Sequence, residues 1–256
     1  MCFEWYKKLP ANYKELSSKE KNLIFLFQSN NIFVMDNHLA AGWCWLNELN
    51  SEEQYYFYHI DRHTDLLNNV PKRSYSSIKR GCSLEEYLNC SYSQNNSIKL
   101  SEYKSFRWGT YIKNIQKLHP NWFCENYFAT HEEARDSSKN GKLKIKANRS
   151  PFFLCDPIDI YTDKKWIVNL DLDYFFCKSS IDENQKRFKM FSDQYIRNFS
   201  KDINGLMKNI AVMTIAFSPE CCGGWNNAID VYNILTEEIS SLSNSRVNQE
   251  FNRFMC

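Results

Sequence analysis

The sequence predicts an α/β fold of three layers, a mainly parallel sheet covered by helices on both faces, on three observations. Short β-branched and aromatic runs alternate with longer amphipathic stretches, the order that builds parallel sheets from strand and helix units. The runs are apolar almost throughout, as strands covered on both faces are. Three of them end in acidic or histidine residues, and in an open parallel sheet the carboxyl ends of the strands form the ligand-binding edge.

Length and composition agree. The 256 residues suit one large domain, or a domain carrying an insertion. Hydrophobic residues at 43% and charged residues at 24% exclude disorder over the whole chain. Lys and Arg number 32 against 30 Asp and Glu, a net charge of +2, so no strong field steers the protein to nucleic acid or to an anionic membrane. The ten cysteines show no C-x-x-C pair and no regular spacing, which reads as reduced thiols. The opening residues lack the apolar core of a signal peptide, and the longest apolar or neutral run, 210–217, falls well short of the about 20 residues that span a bilayer. A cytoplasmic location is the expectation. The sequons at Asn89, Asn95, Asn148 and Asn198 are what an Asn- and Ser-rich chain contains by chance.

The elements follow in order. Within residues 1–30 the patch Leu23 to Phe27 suits a capping element or an edge strand. Asn31 to Asp36 is a β-branched and aromatic run, and His38 to Leu49, with Trp43, Trp45, Leu46 and Leu49 at the spacing of a packed face, follows it as a helix. Tyr55 to Asp61 is too short for a helix and reads as a buried strand. From Leu67 to about Ser150 the chain is rich in Ser, Asn and Lys, and reads as an elaborated insertion between core strands, with a helical candidate at Glu102 to Leu118. Its basic run, Lys139, Lys142, Lys144, Lys146 and Arg149, reads as a solvated loop. Core pattern resumes as a strand at Trp166 to Asp173, a charged amphipathic helix at Asp182 to Lys208, a strand at Ile210 to Phe217 and a helix at Asn226 to Leu242.

Chemistry gathers at the strand ends: Asp36-Asn37-His38, Asp61-Arg62-His63-Thr64-Asp65 and Asp171-Leu172-Asp173. Residues two apart in extended backbone point the same way. Where strand geometry persists, Asp61, His63 and Asp65 therefore present two carboxylates and an imidazole to one point, and Asp171 and Asp173 do likewise. Burying four carboxylates together is costly unless a cation neutralises them. Two divalent ions bridged by Asp61 and Asp171 would use His38, Asp61, His63, Asp65, Asp171 and Asp173, an oxygen-rich set with two imidazoles that suits Mn²⁺. His59, inside the strand, reads instead as a residue bonded in the core or behind the ligands. Ser218-Pro219-Glu220-Cys221-Cys222-Gly223-Gly224 brings Glu220 to the same edge, where a carboxylate free of metal suits a guanidinium. Glu220 capping the next helix, and Cys221 as a metal-free nucleophile, are the competing readings of that segment.

These residues resemble the ureohydrolase branch of the arginase and deacetylase superfamily. The segments Met35 to His38, His59 to Asp65, Asn169 to Phe175 and Ser218 to Cys221 resemble more narrowly the atypical peptide arginases, which convert arginine side chains in ribosomally made precursor peptides to ornithine. The four segments stand in the family's order but cover a minority of the chain. The resemblance implies a single arginase-like catalytic domain over residues 1–256, with one Mn²⁺ held by His38, Asp61, Asp65 and Asp171 and another by Asp61, His63, Asp171 and Asp173. It further implies that Asp65 orients the attacking water and passes its proton to the leaving amine, that Glu220 positions the guanidinium, and that an arginine-containing precursor peptide is the partner.

Two departures stand out. The familiar arginases carry a histidine some fifteen residues past the D-x-H-x-D motif, and residues 78–82 contain none, leaving His119 and His131 as candidates. The asparagine that holds the carboxylate of free arginine is replaced by Leu67, followed by Asn68 and Asn69, which favours a substrate without a free α-carboxylate. The alternatives are a ureohydrolase acting on a small guanidine or amidine, and a scaffold that keeps the fold without catalysis. Zinc deacetylase chemistry is disfavoured because a single-zinc site has no need of both Asp65 and Asp173.

Overall fold

The computed structural model describes residues 3–19, 21–67, 70–96, 99–131, 145–148, 150–178 and 187–243. The chain opens with strands β1 (Phe3–Lys7), β2 (Leu26–Ser29) and β3 (Ile32–Met35), helix α1 (Ala41–Glu48) and strand β4 (Tyr55–Ile60). Helix α2 (Leu84–Asn89), strands β5 (Ser91–Asn96) and β6 (Lys99–Lys104), helix α3 (Tyr111–Leu118), strands β7 (Phe123–Ala129) and β8 (Ile145–Ala147) and helix α4 (Asp156–Ile160) come next. Strands β9 (Trp166–Asp171), β10 (Phe176–Lys178) and β11 (Arg187–Lys189), helix α5 (Asp193–Leu206), strand β12 (Ile210–Ala216) and helices α6 (Pro219–Cys222), α7 (Trp225–Glu238) and α8 (Ser240–Ser243) complete it.

Eight strands form one sheet in the order β1-β2-β3-β12-β9-β4-β7-β8. From β3 to β8 every neighbouring pair is parallel, while β1 and β2 fold back antiparallel at one side. The Leu23 to Phe27 patch thus feeds β2, which lies between β1 and β3.

Two separate cores show why the strands are apolar on both sides. Tyr56, Tyr58 and Ile60 of β4 and Trp166, Val168 and Leu170 of β9 pack with α5 and α7. Their alternates, Tyr55, Phe57 and Ile167, pack with α1 and α3. The period of two along each strand sends successive side chains to opposite layers. Three layers result, as expected. No helix among the described residues is long and apolar enough to cross a membrane, and all the described cysteines are free.

Several expectations are corrected. Residues 67–150 are not wholly an insertion between core strands: β7 and β8 join the main sheet, α3 and Tyr87 of α2 are part of the core on one face of it, and β5 and β6 form a separate two-stranded sheet. Cys124, Glu125 and Asn126 interrupt the apolar pattern of β7, which conceals a strand that lies beside β4. Lys146 sits on β8, paired with Glu125 at 2.5 Å, whereas Lys139, Lys142, Lys144 and Arg149 lie outside the described residues. Of Glu102 to Leu118 only α3 is helical, because β6 extends to Lys104. The helix expected from Asp182 begins at Asp193, where the Ser192 hydroxyl accepts from the Tyr195 amide, the side-chain cap that starts a helix. Before it β11 pairs with β10, and residues 182–186 lie outside the described set. The last helix breaks at Ile239, which is extended.

Asp36 proves structural. Its carboxylate accepts from the backbone amides of Ile24 and Phe25 at 2.7 and 3.0 Å, from the Ser18 hydroxyl at 2.5 Å and from the Asn37 amide at 3.0 Å. It ties the segment before β2 to the end of β3, and burial pushes its pKa up to about 6. An amide in its place turns one acceptor into a donor facing donors. Asp36→Asn should therefore lower the unfolding free energy by about 1–3 kcal/mol, measured as a lower urea midpoint at unchanged slope.

Candidate metal centre

The parallel register sets the strand ends level. Ala216 of β12 faces both Met35 and Asp171, and Ile60 of β4 faces Leu170 and Ala129. The residues that follow these positions meet at one edge. Strand geometry does not persist there, and turns replace it. The His63 amide donates to Asp61 Oδ1 at 2.6 Å, and the Asp173 amide donates to Asp171 Oδ1 at 2.9 Å. Each aspartate that ends a strand thus folds its own i+2 amide onto one oxygen. Asp65 takes positive φ, 50°, a conformation Asp tolerates better than most residues.

The second oxygens turn inward. His38 Nδ1 lies 3.5 Å from Asp61 Oδ2, 3.6 Å from Asp65 Oδ2 and 3.4 Å from Asp171 Oδ2. His63 Nδ1 lies 3.0 Å from Asp173 Oδ2 and 3.5 Å from Asp61 Oδ1. All six residues expected as ligands are therefore brought together. His38 Nδ1, Asp61 Oδ2 and Asp173 Oδ2 are buried with no hydrogen-bond partner, a state that polar atoms in proteins seldom keep without a ligand. His38 Nε2 contacts the Leu170 carbonyl at 3.3 Å, which favours a proton on Nε2 and leaves Nδ1 as a lone-pair donor. His38, Asp61 and Asp65 form one group able to hold a metal ion, and Asp61, Asp171 and Asp173 form another. The donor set fits divalent cations.

The electrostatics support this fit. Burial, then the charge of Asp61, pushes Asp65 up to about 7. Burial with Asp173 and Asp61 holds Asp171 well above the usual carboxylate range, and burial with Asp61 raises Asp173. For Asp61 the same burial is outweighed by His59, His38 and His63, and its pKa falls. Burial disfavours charge on His38, yet Asp61, Asp65 and Asp171 pull its pKa well above normal. The nearby carboxylates of Asp173 and Asp61 lift His63 to about 11. Protons substitute for cations in this cluster.

A polar row lies beneath it. Thr214, Asn169 and His59 are direct neighbours across β12, β9 and β4. The Thr214 hydroxyl donates to Asn169 Oδ1 at 2.7 Å, and Asn169 Nδ2 donates to His59 Nδ1 at 2.8 Å and to the Tyr111 hydroxyl at 2.9 Å. His59 Nδ1 is thereby the acceptor, so Nε2 carries hydrogen toward Asp61 Oδ2, 3.4 Å away. Burial lowers His59 to about 4, which keeps it neutral. His59 thus stands behind the ligands, as its place in the strand suggested.

Glu220 lies on α6 at the same edge but outside the buried cluster. It is exposed, and the Ser17 hydroxyl donates to its Oε1 at 3.0 Å. Sequence reasoning missed Ser17, which is 203 residues away along the chain. It also missed Ser218, whose hydroxyl donates to Asp171 Oδ2 at 2.6 Å, although its place directly after β12 was a signal. Cys221 belongs to a third group able to hold metal, with His63 and Asp173. Burial and the charges of Asp173 and Asp171 push its thiol up, which weighs against a free thiolate nucleophile.

The two further histidines separate. His119 stacks on Trp122 at 4.0 Å after the C-terminal end of α3. His131 follows β7 at the ligand edge and meets Tyr174 edge-on at 4.8 Å. Leu67 is 53% exposed, and Asn68 and Asn69 lie outside the described residues. Compared with known proteins, the chain matches no family model and no curated protein.

With Asp65 at about 7 and His63 at about 11, the metal-free cluster is protonated below those values, and a cation must displace the protons. Affinity for a divalent cation should therefore rise with pH through neutrality, with protons released on binding. Calorimetry in two buffers of different ionisation enthalpy counts them, and an affinity indifferent to pH would contradict the assignment.

Proposed function

We propose that the protein is a dinuclear, Mn²⁺-dependent ureohydrolase of the arginase and deacetylase superfamily that converts arginine side chains of a precursor peptide to ornithine and urea. The observation that carries this reading is the convergence of His38, Asp61, His63, Asp65, Asp171 and Asp173 at one sheet edge, with unpartnered buried atoms turned inward. His38, Asp61, Asp65 and Asp171 would hold one ion, and Asp61, His63, Asp171 and Asp173 the other. Bound there, such a pair supplies a water acidified toward neutral pH and polarises the substrate.

The chain's own groups have distinct tasks. Asp61 and Asp171 each keep one oxygen on a backbone amide, so their other oxygens are fixed in direction. Asp65, a carboxylate at the rim side of the cluster within reach of His38, would take a proton from the attacking water and deliver it to the leaving amine nitrogen. Glu220 would accept paired hydrogen bonds from the guanidinium, and Ser17 holds one of its oxygens in place. Water adds to the guanidinium carbon, the bond from that carbon to the chain nitrogen breaks, and urea leaves with the ornithine amine behind. The exposure of Glu220 supports a peptide reaching the rim rather than a substrate wholly enclosed.

The deciding experiment incubates Mn²⁺-loaded protein with an arginine-containing peptide, with free arginine and small guanidines alongside, and follows urea and peptide mass together. Urea with a matching peptide mass loss supports the peptide reading, and urea from the small guanidine alone shifts the substrate class. No urea, with less than one equivalent of bound Mn²⁺, supports a scaffold instead. Asp171→Ala should abolish metal binding and activity together, because it removes a shared ligand. Glu220→Ala should keep its metal content but lower kcat/KM about 10- to 100-fold, the loss of a charged hydrogen bond. Full activity in that variant would remove Glu220 from the reaction.

A further inference from the structure

The group formed by His63, Asp173 and Cys221 is not explained by the reading above. One nitrogen of His63, one carboxylate oxygen of Asp173 and Sγ of Cys221 all lie within 4.8 Å of one another. His63 Nδ1 and Asp173 Oδ2 are 3.0 Å apart. Asp173 is fully buried, and its Oδ2 has no hydrogen-bond partner, so an unsatisfied acceptor faces the imidazole and the thiol. Cys221 and His63 are both partly exposed, which leaves a way in for an ion.

The chain holds the thiol there by specific contacts. Ser218 takes positive φ, 42°, at the end of β12, and its hydroxyl binds Asp171. The Cys221 amide donates back to the Ser218 carbonyl at 2.8 Å, so Cys221 follows one tight turn after a residue anchored to the cluster. Gly223 closes the turn at φ 85°, where a Cβ would stand 2.9 Å from the Arg187 Cβ. Cys222 faces elsewhere: it is fully buried, and its thiol donates to the Phe217 carbonyl at 3.2 Å. The two adjacent cysteines therefore have different surroundings.

We infer that Cys221 is a thiolate ligand to the ion held by His63 and Asp173, which makes the two halves of the centre chemically unequal. This inference rests on the metal-centre reading. The half at His38 and Asp65 offers only oxygen and imidazole nitrogen, whereas the half at His63 gains a soft sulfur donor. Sulfur favours Zn²⁺, Co²⁺ or Fe²⁺ over Mn²⁺. Binding replaces the thiol proton with the metal, one proton passing to solvent for each Cys221–metal bond formed.

Co²⁺ is the probe, because thiolate ligation produces an intense near-ultraviolet charge-transfer band that oxygen and nitrogen ligands do not, while visible bands report bound cobalt of any ligation. The metal-free full chain loaded with Co²⁺ should show both. Cys221→Ala should lose the near-ultraviolet band, keep visible bands and bind Zn²⁺ at least about tenfold more weakly, the loss already typical of removing a ligand's supporting partner. Cys222→Ser, which keeps a donor toward Phe217, should retain the band. Visible bands without the near-ultraviolet band in the unaltered protein would overturn the inference, whatever the variants do. Persistence of that band in Cys221→Ala would overturn it as well. Failure of the unaltered protein to bind cobalt at all would instead overturn the metal centre, and this inference with it.

Discussion

Buried negative charge is the constraint around which this molecule is arranged. Asp61, Asp171 and Asp173 are at most 5% exposed, and Asp65 is close enough to share His38 with two of them. Such a cluster raises its own pKa values through desolvation and repulsion, and histidines alone relieve only part of that cost. A cation relieves it more fully, because it meets several carboxylate oxygens at once. Within the cluster, His38 Nδ1, Asp61 Oδ2 and Asp173 Oδ2 lack hydrogen-bond partners and lie where an ion would be held.

The rest of the fold holds those groups in place. A sheet covered on both faces has no free surface along its strands, so polar groups concentrate where the strands end. Two aspartates terminate their strands by bonding an amide two residues on, which commits one oxygen to the backbone and aims the other. Beneath them, Thr214, Asn169 and His59 continue the polar row into a layer otherwise filled by Phe57, Trp45 and Tyr111. Each member of that row is bonded to its cross-strand neighbour, so the imidazole next to Asp61 keeps one tautomer, with Nε2 turned toward the cluster. On the opposite side, Asp36 and Ser17 join the first part of the chain to the edge. Stability and site geometry thus share residues.

The rim is more varied than the buried ligands. Glu220 and Cys221 are adjacent, yet one accepts from Ser17 in solvent and the other faces His63 and Asp173. A single four-residue helix therefore carries both a group suited to a cationic substrate and one suited to a metal.

The strands that carry the ligands were legible in the chain because their pattern is local: Tyr55 to Ile60 and Trp166 to Asp171 are continuous apolar runs that end in acid. Their polar ends also revealed five of the six candidate ligands, since a D-x-H-x-D and a D-x-D after buried strands have no good account as solvated turns, and the sixth, His38, follows the run Asn31 to Asp36 in the same way. What the sequence did not disclose depends on contacts between distant segments. β7 was hidden because its polar middle is tolerated only beside β4 and β8, and the start of α5 was set by a cap rather than by periodicity. The pairing of Ser17 with Glu220, the approach of Cys221 to Asp173 and the structural role of Asp36 required the chain to be folded first. Residue types and strand ends are properties of short segments, whereas which oxygen faces which nitrogen is decided only when the register of a sheet brings separate turns to one edge.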